Sequence, residues 1–287
     1  MKKNTYTLLL TCINKPGIVA NVSKFIYDNG GDINEAHQFD DDDTGRFFMR
    51  VSFSRDDDAI NAGNLREKFI PIVEKYGLTW SLHDGKDKKR VLIMVSKFDH
   101  CLVDLLYRWR IGELPMNIVG IVSNHPQDSF KGIDFANIPF HHISITPENK
   151  LLQETKLFNL INKLNIDLVV LARYMQILSD DLSAKLSGRC INVHHSFLPS
   201  FKGAKPYHQA HARGIKLIGA TAHFVTSDLD EGPIITQDIM RVSHSDTVED
   251  LIRKGRDVER TVLSRALRYY VFDRVLINGN KSVIFPD

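Results

Sequence analysis

Cysteine is scarce in this 287-residue chain: Cys12, Cys101 and Cys190 stand far apart among apolar neighbours. No Cys-x-x-Cys occurs, which argues against a structural zinc site or a redox pair, and isolated thiols suit a reducing cytosol. Long apolar runs are missing as well, since none approaches the ~20 residues of a membrane span. The short apolar stretch after Met1-Lys2-Lys3 has no cleavage signature. Excess charge is absent too: the net value is +2, which gives no reason to expect nucleic acid or an anionic membrane as partner. The one dense basic run, Lys86-Asp87-Lys88-Lys89-Arg90, reads as a solvated linker. The expectation is a cytoplasmic chain.

Two catalytic signatures are also lacking. Without His-Glu-x-x-His no metal is called for. Without Gly-x-Ser-x-Gly there is no hydrolase elbow, so Ser196 is rejected as a nucleophile. Neither metal nor resident cofactor is expected. What is present is an ordinary globular composition, 43% hydrophobic and 25% charged, in a length suited to one large domain or two modest ones.

The first eighty residues alternate in a compact plan. Residues 5–12 read as a strand, Asn14-Lys15-Pro16-Gly17 as a turn, and Val19, Val22, Phe25 and Ile26 recur at helical spacing. Strands are expected at 33–39 and 47–53 around the four-aspartate loop, then a helix from about Asp56 to Tyr76 and a strand at 78–82. The helix's buried stripe would be Ile60, Leu65, Phe69, Ile72 and Val73. That is β-α-β-β-α-β, the ferredoxin-like plan. We expect a domain over 1–84, a linker over 85–90 and a second domain over 91–287.

The second part has another rhythm. Val91–Val95 and Asp167–Ala172 are continuous apolar runs, as in parallel strands buried on both faces. Strands at 116–122, 138–145 and 190–194 alternate with helices at 102–109 and 151–164, which predicts an α/β domain with a mostly parallel, Rossmann-like sheet. A long amphipathic helix over 247–270 and a hairpin over 272–285 complete the chain. Ligands of such sheets sit beyond the carboxyl ends of the strands.

The chemistry concentrates there. Asn192-Val193-His194-His195-Ser196-Phe197-Leu198-Pro199-Ser200-Phe201-Lys202-Gly203 is answered by Gly219–Val225 and Asp230-Glu231-Gly232-Pro233. Asn192 and His194 are two apart, so on a strand they share a face. An amide, an imidazole and a carboxylate are the parts needed to attack a formyl carbon: one holds the oxygen, one moves a proton, one sets the imidazole's charge. Asn192 alone reads as a strand-end cap, and an isolated histidine as structural; the stiff loop after them and the nearby acids change that reading. Of Asp228, Asp230 and Glu231, Asp230 is best placed, because Gly232-Pro233 would pin its backbone.

Residues 192–203 and 219–237 resemble the folate-dependent formyltransferase family, and the likeness extends over roughly 90–275. The resemblance implies Asn192, His194 and Asp230 as catalytic residues, with His223 in support. It also implies a folate pocket at Leu171–Leu178, with Arg173, Tyr174, Met175, Ile177 and Leu178 as contacts. Ordinary strand-end packing is the bland alternative for Met175, Ile177 and Leu178. His141 and His142 are weaker candidates for the site, and Lys202 and Lys205 for a folate's glutamate tail.

The first domain is similar to the ACT amino-acid-binding module at Asn14–Ala20, and Asn14, Gly17, Ile18 and Gly31 are its implied effector residues. Many such modules carry Asp where this chain has Asn14, so a hydrogen bond is kept and a charge lost. An ACT module before a formyltransferase-like domain resembles the formyltetrahydrofolate deformylases. That likeness implies 10-formyltetrahydrofolate as substrate and formate and tetrahydrofolate as products, with formate feeding purine synthesis and one-carbon pools kept in balance. An amino-acid effector such as glycine or methionine and a homo-oligomer are implied as well.

One physical departure separates hydrolysis from transfer. Ribonucleotide transformylases have a glycine-rich phosphate loop after the first strand of this domain, whereas here the place reads Ser96-Lys97-Phe98-Asp99-His100-Cys101, with no glycine. A formyltransferase and a non-catalytic folate or amino-acid sensor are the rival readings. The trio disfavours the sensor. How proton roles divide between His194 and Asp230 is left open by the sequence.

Overall fold

The computed structural model describes residues 4–56, 61–198 and 206–285. They fall into two compact units: residues up to Lys88 together with 272–276 and 283–285, and Lys89–Val271 together with Ile277–Ser282.

The first unit is built from β1 (Asn4–Ile13), α1 (Ile18–Asp28), β2 (Asp32–Asp41), β3 (Arg46–Arg55), α2 (Ala62–Tyr76) and β4 (Thr79–Asp84). The strands form an antiparallel sheet in the order β2-β3-β1-β4. Period-two alternation puts Tyr6, Leu8, Leu10 and Cys12 on one face, where they pack with Val22, Phe25, Ile26, Leu65 and Phe69. Val19, expected on the buried stripe of α1, is 37% exposed; it lies one residue off the Ile18–Val22–Phe25 face. The second helix starts later than its hydrophobic pattern suggests. Asn61 accepts from the Asn64 N–H and the Asn64 side chain accepts from the Asn61 N–H, a capping box that starts α2 at Ala62. Ile60 lies outside the described residues.

Three of the effector candidates, Asn14, Gly17 and Ile18, lie at the first turn, whereas Gly31 follows the far end of α1. Gly17 takes φ 88°, a left-handed conformation, just before α1. A Cβ on Gly31 would lie 2.7 Å from the Ile26 side chain, so glycine lets β2 begin against the helix. Ile18 is buried in the core, and the Asn14 amide donates to the Asp40 carboxylate.

The C-terminal hairpin, β12 (Val275–Asn278) and β13 (Lys281–Ile284), corrects the expected division of the chain. Its base clusters with the first unit, although the sequence assigned all of 91–287 to the second. Charge is the reason. Arg274 reaches the Glu35 carboxylate at 3.1 and 3.2 Å, and buried Arg50 donates to the Phe272 and Asp273 carbonyls.

The second unit holds β5 (Arg90–Val95), α3 (His100–Arg110), β6 (Asn117–Ser123), β7 (Phe140–His142), α4 (Lys150–Lys163), β8 (Leu168–Leu171), α5 (Asp180–Lys185), β9 (Cys190–His194), α6 (Pro206–Ala212), β10 (Leu217–Phe224), β11 (Ile234–Arg241) and α7 (Val248–Val271). Its sheet runs β11-β10-β9-β8-β5-β6-β7, with the five strands from β9 to β7 parallel to one another and β10 and β11 antiparallel at one edge. Arg90, expected in the linker, opens β5, its N–H donating to Asp167. The strand expected over 138–145 shrinks to three residues at the sheet edge, pairing only with Ile121–Ser123. Strand order reverses between β5 and β8, which opens the crevice at their carboxyl ends where such sheets hold ligands.

Candidate active site

Strand β9 carries Asn192 and His194 on one face, while Ile191 and Val193 anchor it in the core. Antiparallel pairing sets His223 of β10 opposite Asn192 and Thr221 opposite His194. Asn192 Nδ2 lies 3.3 Å from His223 Nε2. The other nitrogen of that buried ring, Nδ1, lies 2.9 Å from the Phe224 carbonyl, so it carries a hydrogen. In a neutral ring Nε2 is then bare and accepts an Asn192 amide N–H. The second amide N–H stays available to a ligand.

The loop after β10 delivers the carboxylate. A Cβ on Gly232 would lie 1.8 Å from the Phe224 carbonyl oxygen, so only glycine fits there, and the Phe224 N–H donates to the Pro233 carbonyl at 2.9 Å. Asp230 is held at φ 59° by this tie, a conformation that non-glycine residues adopt at a cost of roughly 1–3 kcal/mol when the surroundings impose it. Its Oδ2 stands 3.3 Å from His194 Nε2 and its Oδ1 3.7 Å from His223 Nε2. The structure thus brings Asn192, His194, His223 and Asp230 into one cluster.

The electrostatics separate two roles. Burial pushes the His194 imidazolium down, more than the Asp230 charge lifts it, so the ring is neutral near pH 7. Burial pushes the Asp230 carboxyl up, but the neighbouring His223 and His194 rings outweigh it and hold the group below the usual carboxylate range. A neutral imidazole therefore sits beside an ionised carboxylate. His195, behind them at 4.9 Å between ring centres, is driven down to about 4 by burial and then by Arg173.

Thr221 fixes the segment after β9. Its hydroxyl accepts from the Leu198 N–H and from Gln237 and donates to the Ser196 carbonyl, while Gln237 also donates to the Leu198 carbonyl. Ser196 contacts His194 Nδ1 through its hydroxyl at 2.9 Å, a positioning contact rather than a nucleophile's exposure. Residues 199–205, with Lys202 and Lys205, lie outside the described residues.

A cavity of about 810 Å³ opens at the cluster, within the usual range for small-molecule sites. Arg173, Tyr174, Met175, Ile177 and Leu178 all border it together with the catalytic candidates. Met175 and Ile177 are 51% and 61% exposed, so they present apolar surface at its wall instead of packing inward, whereas Tyr174 and Leu178 are buried. His141 and His142 do not border it.

Three polar residues escaped the sequence reading. Glu259 of α7, 1% exposed, meets His100 Nε2 at 2.7 Å, accepts from the Tyr207 hydroxyl at 2.8 Å and lies 3.3 Å from Arg173 Nε. Burial raises its carboxyl, but the His100 hydrogen bond and the Arg173 charge prevail and hold it down. The signal was a lone acid in register with the apolar stripe of α7. His100, Cys101 and Glu259 place ligand-type atoms within 4.8 Å of one another. A cation there is opposed by the Arg173 guanidinium on the same carboxylate, and burial keeps the Cys101 thiol protonated.

Comparison with known proteins fixes the family. The ACT domain family matches residues 6–65 and the formyl transferase family residues 89–267. A formyltetrahydrofolate deformylase of Synechocystis sp. is 49% identical over 99% of this chain and 100% of its own length. The chain belongs to the formyltetrahydrofolate deformylase family. A solved deformylase from Burkholderia mallei is likewise 49% identical, with TM-score 0.94 over 99% of this chain and 100% of that one. A glycinamide ribonucleotide transformylase from Symbiobacterium toebii shares 28% identity and TM-score 0.65, covering 72% of this chain and 98% of its own. Deformylases and transformylases thus use one catalytic fold, and the likeness to the deformylases runs through the ACT module as well.

Proposed function

We propose that this chain hydrolyses 10-formyltetrahydrofolate to formate and tetrahydrofolate, with the Asn192, His194 and Asp230 cluster as its catalytic centre. The convergence of these three groups on one cavity wall, in a deformylase-family chain, carries the reading. Folate lies in the cavity against Met175, Ile177 and Leu178, with its formyl carbon at the trio. Water attacks that carbon and passes a proton to the Asp230–His194 pair. Asn192 donates its free amide N–H to the developing oxyanion, an interaction worth ~3 kcal/mol per donor in well-studied sites. The carbon–N10 bond then breaks, N10 takes the proton from the pair, and formate leaves. Asp230, ionised at neutral pH, is the base; His194 stabilises charge; and the two titrate as a unit. His223 orients Asn192 and Asp230.

The same reading extends to regulation and setting. The formate supplies a formate-dependent step of purine synthesis, in a cytoplasmic homo-oligomer associated through its ACT units. An amino acid such as glycine or methionine binds near Asn14, Gly17, Ile18 and Gly31. No helix among the described residues is long and apolar enough to cross a membrane.

Incubation with 10-formyltetrahydrofolate and no acceptor tests the activity. Steady formate release supports hydrolysis, release only with an added amine supports transfer, and silence supports a sensor. Calorimetry showing no heat with any proteinogenic amino acid would remove the effector.

A further inference from the structure

The crevice between β5 and β8 is already occupied by the chain itself. Arg173 follows β8 at φ 62°, a backbone conformation that favours glycine. Its carbonyl accepts from the Ser96 N–H at 3.3 Å, and its guanidinium stands 5.7 Å over the Phe98 ring. The side chain is 11% exposed and pairs with Glu259, itself held by His100 and Tyr207. Nothing in the trio's geometry calls for this buried charge. Yet the fold gives up helix propensity to keep it: a Cβ on Gly255, in the middle of α7, would lie 2.0 Å from the Tyr207 hydroxyl. The ensemble borders the catalytic cavity through Arg173 and His195.

We propose that Arg173, fixed by Glu259, is the specificity-determining residue that excludes amine acceptors and leaves the formyl group to water. This rests on the hydrolytic reading above. A second nucleophile must approach the formyl carbon from a free space beside the trio. The switch-point crevice is the place an α/β sheet offers for it, and a transformylase occupies the same fold. Here a guanidinium stands in that space. It blocks a bulky acceptor sterically, and its charge repels a protonated amine. Arg173 is therefore a specificity group whose guanidinium, tied to Glu259, is held at the border of the folate cavity.

The test is R173G, which suits the left-handed backbone, assayed with 10-formyltetrahydrofolate and the primary amine glycinamide. In transfer the amine nitrogen bonds the formyl carbon, the carbon–N10 bond breaks, and the amine's proton goes to N10, giving N-formylglycinamide and tetrahydrofolate. The wild type is expected to yield formate with only a trace of formylated amine. R173G is expected to raise the share of formylated amine by about tenfold or more, the scale of a single pocket contact. If buried Glu259, left with His100 and Tyr207 but without the Arg173 charge, prevents folding, R173G/E259Q removes its charge and is read in the same way. A folded variant that binds folate but partitions like the wild type overturns the proposal. A wild type that releases no formate overturns the hydrolytic reading instead, so the two failures are distinct.

Discussion

His194 Nε2 stands 3.3 Å from Asp230 Oδ2, while the far nitrogen of the same ring is 2.9 Å from the Ser196 hydroxyl. The imidazole is thus gripped at both ends by oxygen atoms from different loops. It cannot turn to serve substrate without losing one of them, so the carboxylate and the ring act as a fixed pair.

Replacing Asp230 by Asn keeps the size and the backbone preference but removes the charge. Turnover should fall by ~10²- to 10⁴-fold, the usual worth of a positioned acid or base, while folate affinity changes little. Steady-state formate release and calorimetry with tetrahydrofolate measure the two quantities. Near-normal turnover would refute the assignment.

The pH profile follows from the same pair. Burial lowers His194 and its surroundings lower Asp230, so both are in their working states at neutral pH. Activity should be level near pH 7–8 and fall on the acid side below about 6.5, the ordinary histidine value. A kcat/KM profile with its acid midpoint above pH 7 contradicts this.

Gly255 offers a packing test. The Cβ of Ala at 255 meets the Tyr207 ring, and overpacking of this kind costs about 1–3 kcal/mol. Thermal melting of G255A should show the loss. G255A/Y207A removes the obstructing ring, so the two effects should be strongly non-additive. Simple additivity would show that the contact does not govern the site.

In the first unit, Glu35 supplies a separate pH dependence. Burial raises its carboxyl, but hydrogen bonds from His37, Arg50 and Arg274 outweigh that and bring it down to about 2. The unfolded chain, with an ordinary value of about 4.3, binds more protons between these limits, so stability rises with pH there. The contribution is complete above about 4.3 and lost as pH falls through about 2. Urea midpoints at pH 7 and pH 3 should differ less for E35Q than for the wild type; an equal difference would exclude the role.

The βαββαβ unit and the buried strands β5, β8 and β9 were legible because period-two alternation and unbroken apolar runs are local signals. The trio was legible because Asn192 and His194 share a strand and Asp230 precedes Gly232-Pro233. Less visible were α5, a six-residue helix capped by Ser179, and β11, where every residue but Ile235 is partly or fully exposed. Glu259 and Tyr207 make sense only when α7 and α6 are folded beside α3, since their partners are 52 or more residues away. The hairpin's attachment rests on the Arg274–Glu35 pair, 239 residues apart, which no local pattern announces.

The left-handed turn at residue 230 has a further consequence. Such backbone admits glycine, asparagine and aspartate with least strain, and of these three only aspartate carries a charge. Position 230 is thus filtered twice, once by shape and once by chemistry, and the two filters share a single survivor. Saturation mutagenesis selected for growth on the reaction should return Asp alone there, while Asp228 and Glu231, two and one residues away, tolerate a wide range.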